Sequence, residues 1–420
     1  MTLPAVDVLV IGAGPAGSAC AQLLARAGRS VMLADQHDFP RDKVCGDGLI
    51  PAAHAAFERL GVAAQVNALA QENVLHVRCV APGGRFVDVP GRLAVVPRRV
   101  LDDILRTAAI DAGAVWLPRA RFEAPQLDTQ QNVVGARLNV SGETLDVSAR
   151  WVVLATGAQP QALIASDVCD ERTPSGVALR GYVHHPPLNP PLTTMDVVWH
   201  RKLGRGYGWI FPCGDGVYNI GVGLSNSHDK RNPGRRTMAD VNLRTLFDVF
   251  CKIHAPAGEL LAHGKMLGAL KGAPLRCSLE GARLSRPGLL VTGEAAGSTY
   301  AFTGEGIGKA METGMLAAQT LLEDQRWGAQ DDAAALHAFS DDAALRQRYE
   351  QRVLALKPRF DLYERANRLN DMPWLIDLLV WRASRSPRVL RRMGQVLEEK
   401  GNPGNLVTWR GVAKLLVPGR

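Results

Sequence analysis

No apolar stretch in these 420 residues reaches the ~18–20 that a membrane-spanning helix needs. Cysteine is scarce: seven residues, odd in number, with no pair at metal-ligand spacing. That argues against a disulfide framework and a zinc module, and it reads as a reduced, cytosolic pattern. Cys20 and Cys79 sit in apolar surroundings and are expected in the core. No repeat of fixed period and no low-complexity block is present, which excludes a solenoid and a disordered chain. Met1–Gly12 lacks a basic segment ahead of an apolar one, so no secretory signal is expected.

What is present is ordinary for a globular protein: 46% apolar and 21% charged residues. The length suits two or three cores rather than one. The net charge of +8 is unevenly placed. Residues 378–420 carry nine Lys/Arg against two acids, which leaves forty against thirty-nine for the rest.

Asp7–Ile11 is a short apolar run that ends at glycine and reads as a buried parallel strand. Pro15–Ala27 has helical spacing, Gly28 closes that helix, and Ser30–Ala34 is the next strand, a complete βαβ unit. Between them lies Gly12-x-Gly14-x-x-Gly17. Gly12 serves the tight turn, Gly14 the approach of a pyrophosphate, and Gly17 close helix–strand packing. Pro15 and Ala16 open a helix whose free N–H groups face the phosphates. Asp35, ending the second strand, is placed to accept from ribose hydroxyls. Further buried strands follow at Trp151–Ala155 and Gly288–Thr292. Gly83–Gly84 reads as a hairpin turn, Val100–Ala112 and Gly304–Leu322 as helices, and Val177–Val222 as mostly strand and turn with a break at Pro186–Pro191. From Asp331 onward the chain reads as helices, including Asp377–Trp381 and Val389–Lys400.

The order of Gly12–Gly17, Ala155-Thr156-Gly157 and Gly293-Glu294-Ala295-Ala296-Gly297 resembles the glutathione-reductase-type FAD proteins. Within them it is similar to the branch holding para-hydroxybenzoate hydroxylase and the geranylgeranyl reductases. The resemblance implies an α/β fold, α+β overall. A Rossmann-like FAD domain would span residues 1–70, 95–170 and 275–330. A β-rich substrate domain would take 71–94 and 171–274, and a helical C-terminal region 331–420. It also implies that Glu294, where the family usually has Asp, meets the ribityl chain of FAD. Gly304, Gly306 and Ile307, in Thr303-Gly304-Glu305-Gly306-Ile307, would border the isoalloxazine ring, with the helix N-terminus favouring negative charge on reduced flavin. Arg98 matches a family arginine that contacts FAD, with Arg99 the alternative match.

Two segments resemble the geranylgeranyl reductases in particular. Pro40-Arg41-Asp42-Lys43-Val44-Cys45-Gly46-Asp47-Gly48-Leu49 carries a CGxG loop, which implies close backbone approach to the flavin by Lys43, Cys45 and Gly46. Cys45 is the candidate catalytic acid, its thiol pKa expected to be lowered by Lys43. A small residue in a tight turn is the competing reading. Tyr207-Gly208-Trp209-Ile210-Phe211-Pro212 resembles the family's YxWxFP motif. Strand alternation puts Tyr207, Trp209 and Phe211 on one face, either lining a substrate cavity or packing a core.

The implied activity is FAD-dependent reduction of C=C bonds in a prenyl or other apolar substrate, by hydride transfer from reduced flavin N5. A flavin monooxygenase or halogenase using a C4a-hydroperoxide is the alternative; Tyr207 and Phe211 depart from the halogenase WxWxIP segment. A second alternative is a flavoprotein that oxidises a partner protein or a carrier-bound intermediate. No second GxGxxG is seen, so NAD(P)H or another reductant would visit transiently. The basic tail suits either an anionic membrane at the inner face or a solvated helical cap. No metal site and no nucleic-acid partner are expected.

Overall fold

The computed structural model describes residues 5–69, 74–186, 188, 191–225, 241–324, 327, 342–408 and 411. The sequence-predicted Asn405–Leu416 surface segment falls largely outside them, as do the start of the helical region at Asp331 and parts of the Pro186–Pro191 break.

The strand Val6–Ile11, apolar except for the half-buried Asp7, lies central in an eight-stranded sheet. It pairs in parallel with Val31–Ala34 on one side and with the end of Glu143–Leu154 on the other. Val115–Leu117 and Leu289–Val291 extend the parallel part outward. Such strands carry no polar alternation because helices cover both faces. The first half of Glu143–Leu154 turns away and pairs antiparallel with Val133–Val140, which pairs with Ala120–Leu127. The glycine turn is fixed by contact: Gly12 has φ 103, and a Cβ on Gly17 would overlap the Gly12 carbonyl. No other residue type lets the helix Pro15–Arg26 sit this close to the strand.

A second eight-stranded sheet is built from two separated stretches. Gly176–His184, Val217–Ser225, Gly206–Gly214 and Thr194–Val198 run antiparallel in that order. The hairpin His76–Val80 and Phe86–Pro90 joins through a parallel pairing with Thr194–Val198. Its two faces form separate cores: Trp209, Phe211 and Met195 on one side, Ile210, Val222 and Phe250 on the other.

The C-terminal helices brace both sheets. Tyr349, Val353, Phe360 and Tyr363 enter the core of the first sheet. Leu375, Ile376, Leu379 and Val380 of the helix Pro373–Ala383 enter the core beside Trp209. On the helix Pro387–Leu397, Val389, Leu390, Met393 and Leu397 pack against that same core, while Arg388, Arg391 and Arg392 face solvent. The apolar stripe of this helix is therefore engaged with protein. No described helix is long and apolar enough to cross a membrane.

Candidate functional site

The site runs from the glycine turn to the seam between the two sheets. Gly14 caps the helix Pro15–Arg26, and Pro15, Ala16 and Gly17 are buried in its first turn. A Cβ built on Gly14 would lie 3.6 Å from Arg41 Nη2 and 4.0 Å from Arg98 Nη2. Both guanidiniums converge on Asp102, which has no exposed area. Arg98 Nε and Nη2 donate to it at 2.6 and 2.8 Å, and Arg41 Nη1 lies 3.0 Å away. Arg41 Nε also lies 3.9 Å from Asp35, so two cations balance two carboxylates beside the free helix-start amides, and both guanidiniums are within reach of a diphosphate at Gly14. Arg98 is the buried member of the Arg98–Arg99 pair, and Arg99 faces solvent. Arg41 was missed, though it stands inside the loop segment singled out above.

Asp35 is buried at the strand end, accepting from the Ala13 amide at 2.9 Å and the His37 amide at 3.0 Å. Burial pushes its carboxyl up, but the His37 hydrogen bond, the Arg41 charge and the Ala13 amide outweigh that and hold it below the usual range. Ala155 is buried at the adjacent strand end, and the Thr156 hydroxyl beside it is buried without a partner among the described residues. Gly293 donates to the Thr313 hydroxyl at 3.0 Å. The Glu294 carboxylate turns toward Gly157, 4.0 Å from a Cβ built there, and meets Lys43 Nζ at 3.4 Å. The orphaned Thr156 hydroxyl and the cationic cradle at Gly14 fit the polar groups of FAD.

The helix Ile307–Leu321 starts from Gly306. Its first turn is not left entirely for a ligand: Glu305 Oε1 accepts the Gly308 amide at 2.7 Å. Glu305 is buried, which pushes its carboxyl up to about 7. This end of the helix therefore brings its own titrating acid, a group that motif reading passed over.

The loop 42–48 is held from the second sheet. Arg180, with 2% exposure, donates to Asp42 at 2.7 Å and to the carbonyls of Lys43 and Cys45 at 2.9 and 3.3 Å. Asn219 Nδ2 donates to the Cys45 carbonyl at 2.8 Å and to Asp47 at 2.7 Å, and Tyr182 Oη donates to Asp47 at 2.5 Å. The expected net lowering of the Cys45 pKa is overturned, although Lys43 does act in that direction. Burial raises the thiol pKa, opposed first by Arg98 and reinforced by Asp47, with Lys43 the smallest influence. The Lys43 ammonium points instead to Glu294. Cys45 is a protonated thiol at neutral pH, not an activated thiolate.

Tyr207, Trp209 and Phe211 share one face of Gly206–Gly214, with ring centroids 6.3 and 6.4 Å apart. Trp199 lies 6.0 Å from Tyr207 and 6.4 Å from Phe302. Both readings of the motif meet here: Trp209 and Phe211 belong to a core, and that core abuts the loop. A Cβ on Gly46 would stand 3.1 Å from the Phe211 ring and would press that ring back, and one on Gly48 would overlap Met195 Cε at 2.4 Å, so the loop lies against the aromatic face at two glycines. Tyr207 Oη donates to the Thr303 carbonyl at 3.3 Å and lies 2.7 Å from a Cβ built on Gly304, which ties the aromatic face to the helix-start loop. Sequence reading missed Arg180, Tyr182, Asn219 and Asp47. For Arg180 and Asn219 the signal was a polar residue in an apolar strand, in GVALRGYVH and VYNIGVGLS, whereas Asp47 stood in the CGDG loop itself.

Residues 5–167 match the family model described as an FAD binding domain. The chain is 34% identical over 327 residues to "Menaquinone reductase" of Mycolicibacterium smegmatis, covering 75% of this chain and 76% of that protein. It is 28% identical over 382 residues to "Digeranylgeranylglycerophospholipid reductase 1" of Methanopyrus kandleri, covering 89% and 96%. The crystal structure of a geranylgeranyl bacteriochlorophyll reductase-like protein from Thermoplasma acidophilum shares the fold. It superposes with a TM-score of 0.71 at 21% identity, over 98% of this chain and 96% of the other.

Proposed function

This chain belongs to the geranylgeranyl reductase family of FAD-dependent oxidoreductases, and we propose that it hydrogenates an isolated C=C bond in the polyprenyl part of an apolar substrate. The observation that carries this reading is the aromatic face of Tyr207, Trp209 and Phe211 packed directly on the Cys45 loop. Menaquinones and geranylgeranyl lipids, named in the relatives, have a polyprenyl chain in common.

FAD, once bound and reduced, supplies the hydride equivalent. The chain's own residues do the rest. Gly12, Gly14 and Gly17, with Arg41 and Arg98, would hold the diphosphate. Asp35 would hold the adenosine ribose, and Glu294 and Thr156 the ribityl side. Glu294 is in turn held by Lys43. Cys45 keeps a proton on Sγ at neutral pH, as a general acid must, and would deliver it to the carbon beside the one receiving hydride. The aromatic wall would align an apolar chain and exclude water. NAD(P)H or another donor would reach the flavin transiently. The exposed Arg385, Arg388, Arg391 and Arg392 support an anionic membrane surface as the place where an apolar substrate is collected.

The test is anaerobic mixing of the reduced holoenzyme with a menaquinone, with a geranylgeranyl lipid, and separately with oxygen alone. The expected result is flavin reoxidation by a polyprenyl compound without oxygen, with two hydrogens gained in its chain by mass spectrometry. Reoxidation by oxygen alone, with neither compound reduced in its chain, would overturn it.

A further inference from the structure

Asp47 has no exposed area and adopts φ 65, a left-handed conformation that few residues other than glycine take up. Three donors from three elements close on its carboxylate. The Arg98 amide, at the start of the helix Arg98–Asp111, donates at 3.2 Å. Tyr182 of the strand Gly176–His184 and Asn219 of the strand Val217–Ser225 donate at 2.5 and 2.7 Å. All three are neutral. Among the described residues no cation stands within ion-pair distance of Asp47, because the Arg98 guanidinium is taken by Asp102 and that of Arg180 by Asp42 and the loop carbonyls. A full charge buried without a cation is costly, and a clasp of neutral donors does not need one. The Asn219 amide that holds Asp47 also holds the Cys45 carbonyl, so the orientation of the two is coupled.

We propose that Asp47 is the positioning residue of the Cys45 loop, fixing the Cys45 peptide through the shared Asn219 amide and governing by its charge how readily the sulfur releases a proton. This rests on the reading of Cys45 as the proton-delivering group. Burial pushes the Asp47 carboxyl up to about 6, so it is charged at neutral pH and loses that charge just below. Its charge raises the Cys45 pKa. The groups that face it are Arg98 from the helix Arg98–Asp111, Arg180 and Tyr182 from the strand Gly176–His184, Cys213 from the strand Gly206–Gly214, and Cys45 from its own loop. When Asp47 takes a proton, Tyr182 and Asn219 no longer face a carboxylate, and the Cys45 sulfur loses a neighbouring negative charge.

The test needs no substrate. In the FAD-loaded protein, alkylation of Cys45 by iodoacetamide is followed between pH 5 and 10 by peptide mass spectrometry, with Cys169 as an internal control. The wild-type rate should rise with less than unit logarithmic slope across Asp47 titration near pH 6. In Asp47→Asn the slope should be uniform, and labelling at pH 7.5 about tenfold faster, the effect of one pKa unit. The two rates should converge toward pH 5, where wild-type Asp47 is itself protonated, whereas a changed exposure would persist there, which separates a changed pKa from a changed exposure. Tyr182→Phe keeps the carboxylate and removes one donor, so the inflection should move to higher pH. This variant decides alone if Asp47→Asn does not fold. A Cys45 profile unchanged by both substitutions would overturn the proposal. A protein that passes this test but leaves polyprenyl lipids unchanged would retire the substrate reading and leave this one standing.

Discussion

Arg98 joins two regions that solve the same problem differently. Its guanidinium neutralises Asp102 at the nucleotide end, and its amide hydrogen-bonds Asp47 at the Cys45 loop. Both carboxylates are fully buried. Asp102 is met by two arginines, whereas Asp47 is met by neutral donors alone. The glycine-turn end is thus charge-balanced, its partners drawn from the first 111 residues beside the first sheet. The Cys45 loop keeps an uncompensated charge at the seam of two sheets, suspended from side chains more than 130 residues away. Paired charge there serves binding; unpaired charge here serves titration.

Breaking the balanced end should have the largest effect. Arg98→Ala leaves Asp102 with Arg41 alone and is expected to cost about 3–5 kcal/mol of stability along with bound FAD, read by thermal unfolding and flavin absorbance. Removing the suspension is expected to matter next. Arg180→Ala strips two loop carbonyls and Asp42 of a buried donor, for about 1–3 kcal/mol. FAD content should hold while turnover with any accepted substrate falls; loss of FAD instead would show that the loop and the nucleotide end are one unit.

The sharpest contrast is in the sign of Asp47→Asn. The folded-state pKa of Asp47 is raised from 3.8 to about 6. Its contribution therefore favours the fold below about pH 4 and is lost as pH rises through about 6. The variant should be more stable than wild type at pH 8 by an amount on the order of 1–3 kcal/mol, read as a higher Tm, and the gain should shrink at pH 4.5. A variant that loses Tm equally at both pH values would make Asp47 a plain structural clasp. The smallest effect is expected of Trp209→Phe, which deletes the 2.9 Å bond from Trp209 Nε1 to Asn219 Oδ1 and should cost about 1 kcal/mol.

The glycine turn, the Asp35 strand end and the 83–84 hairpin were legible in the sequence because each is settled by neighbours a few residues away. Cys45 was legible as a position but not as a thiol. Its pKa follows from burial, Arg98 and Asp47, and the sequence neighbour Lys43 turns out to serve Glu294. Arg180 and Asn219 looked like isolated polar residues in apolar strands, since nothing in one strand tells which distant loop will lie over it. The same holds for the amphipathic basic tail, whose apolar stripe is spent on the core beside Trp209 in the described helix Pro387–Leu397.

By itself, then, the sequence determined the FAD-binding βαβ unit, the family and the face shared by Tyr207, Trp209 and Phe211, because backbone periodicity and glycine sterics act over short range. Only the tertiary structure decided the protonation of Cys45, the burial of Asp47 and the burial of Arg98 rather than Arg99. Desolvation and charge pairing depend on what the whole chain brings within a few ångströms, and here that is two sheets meeting over one loop.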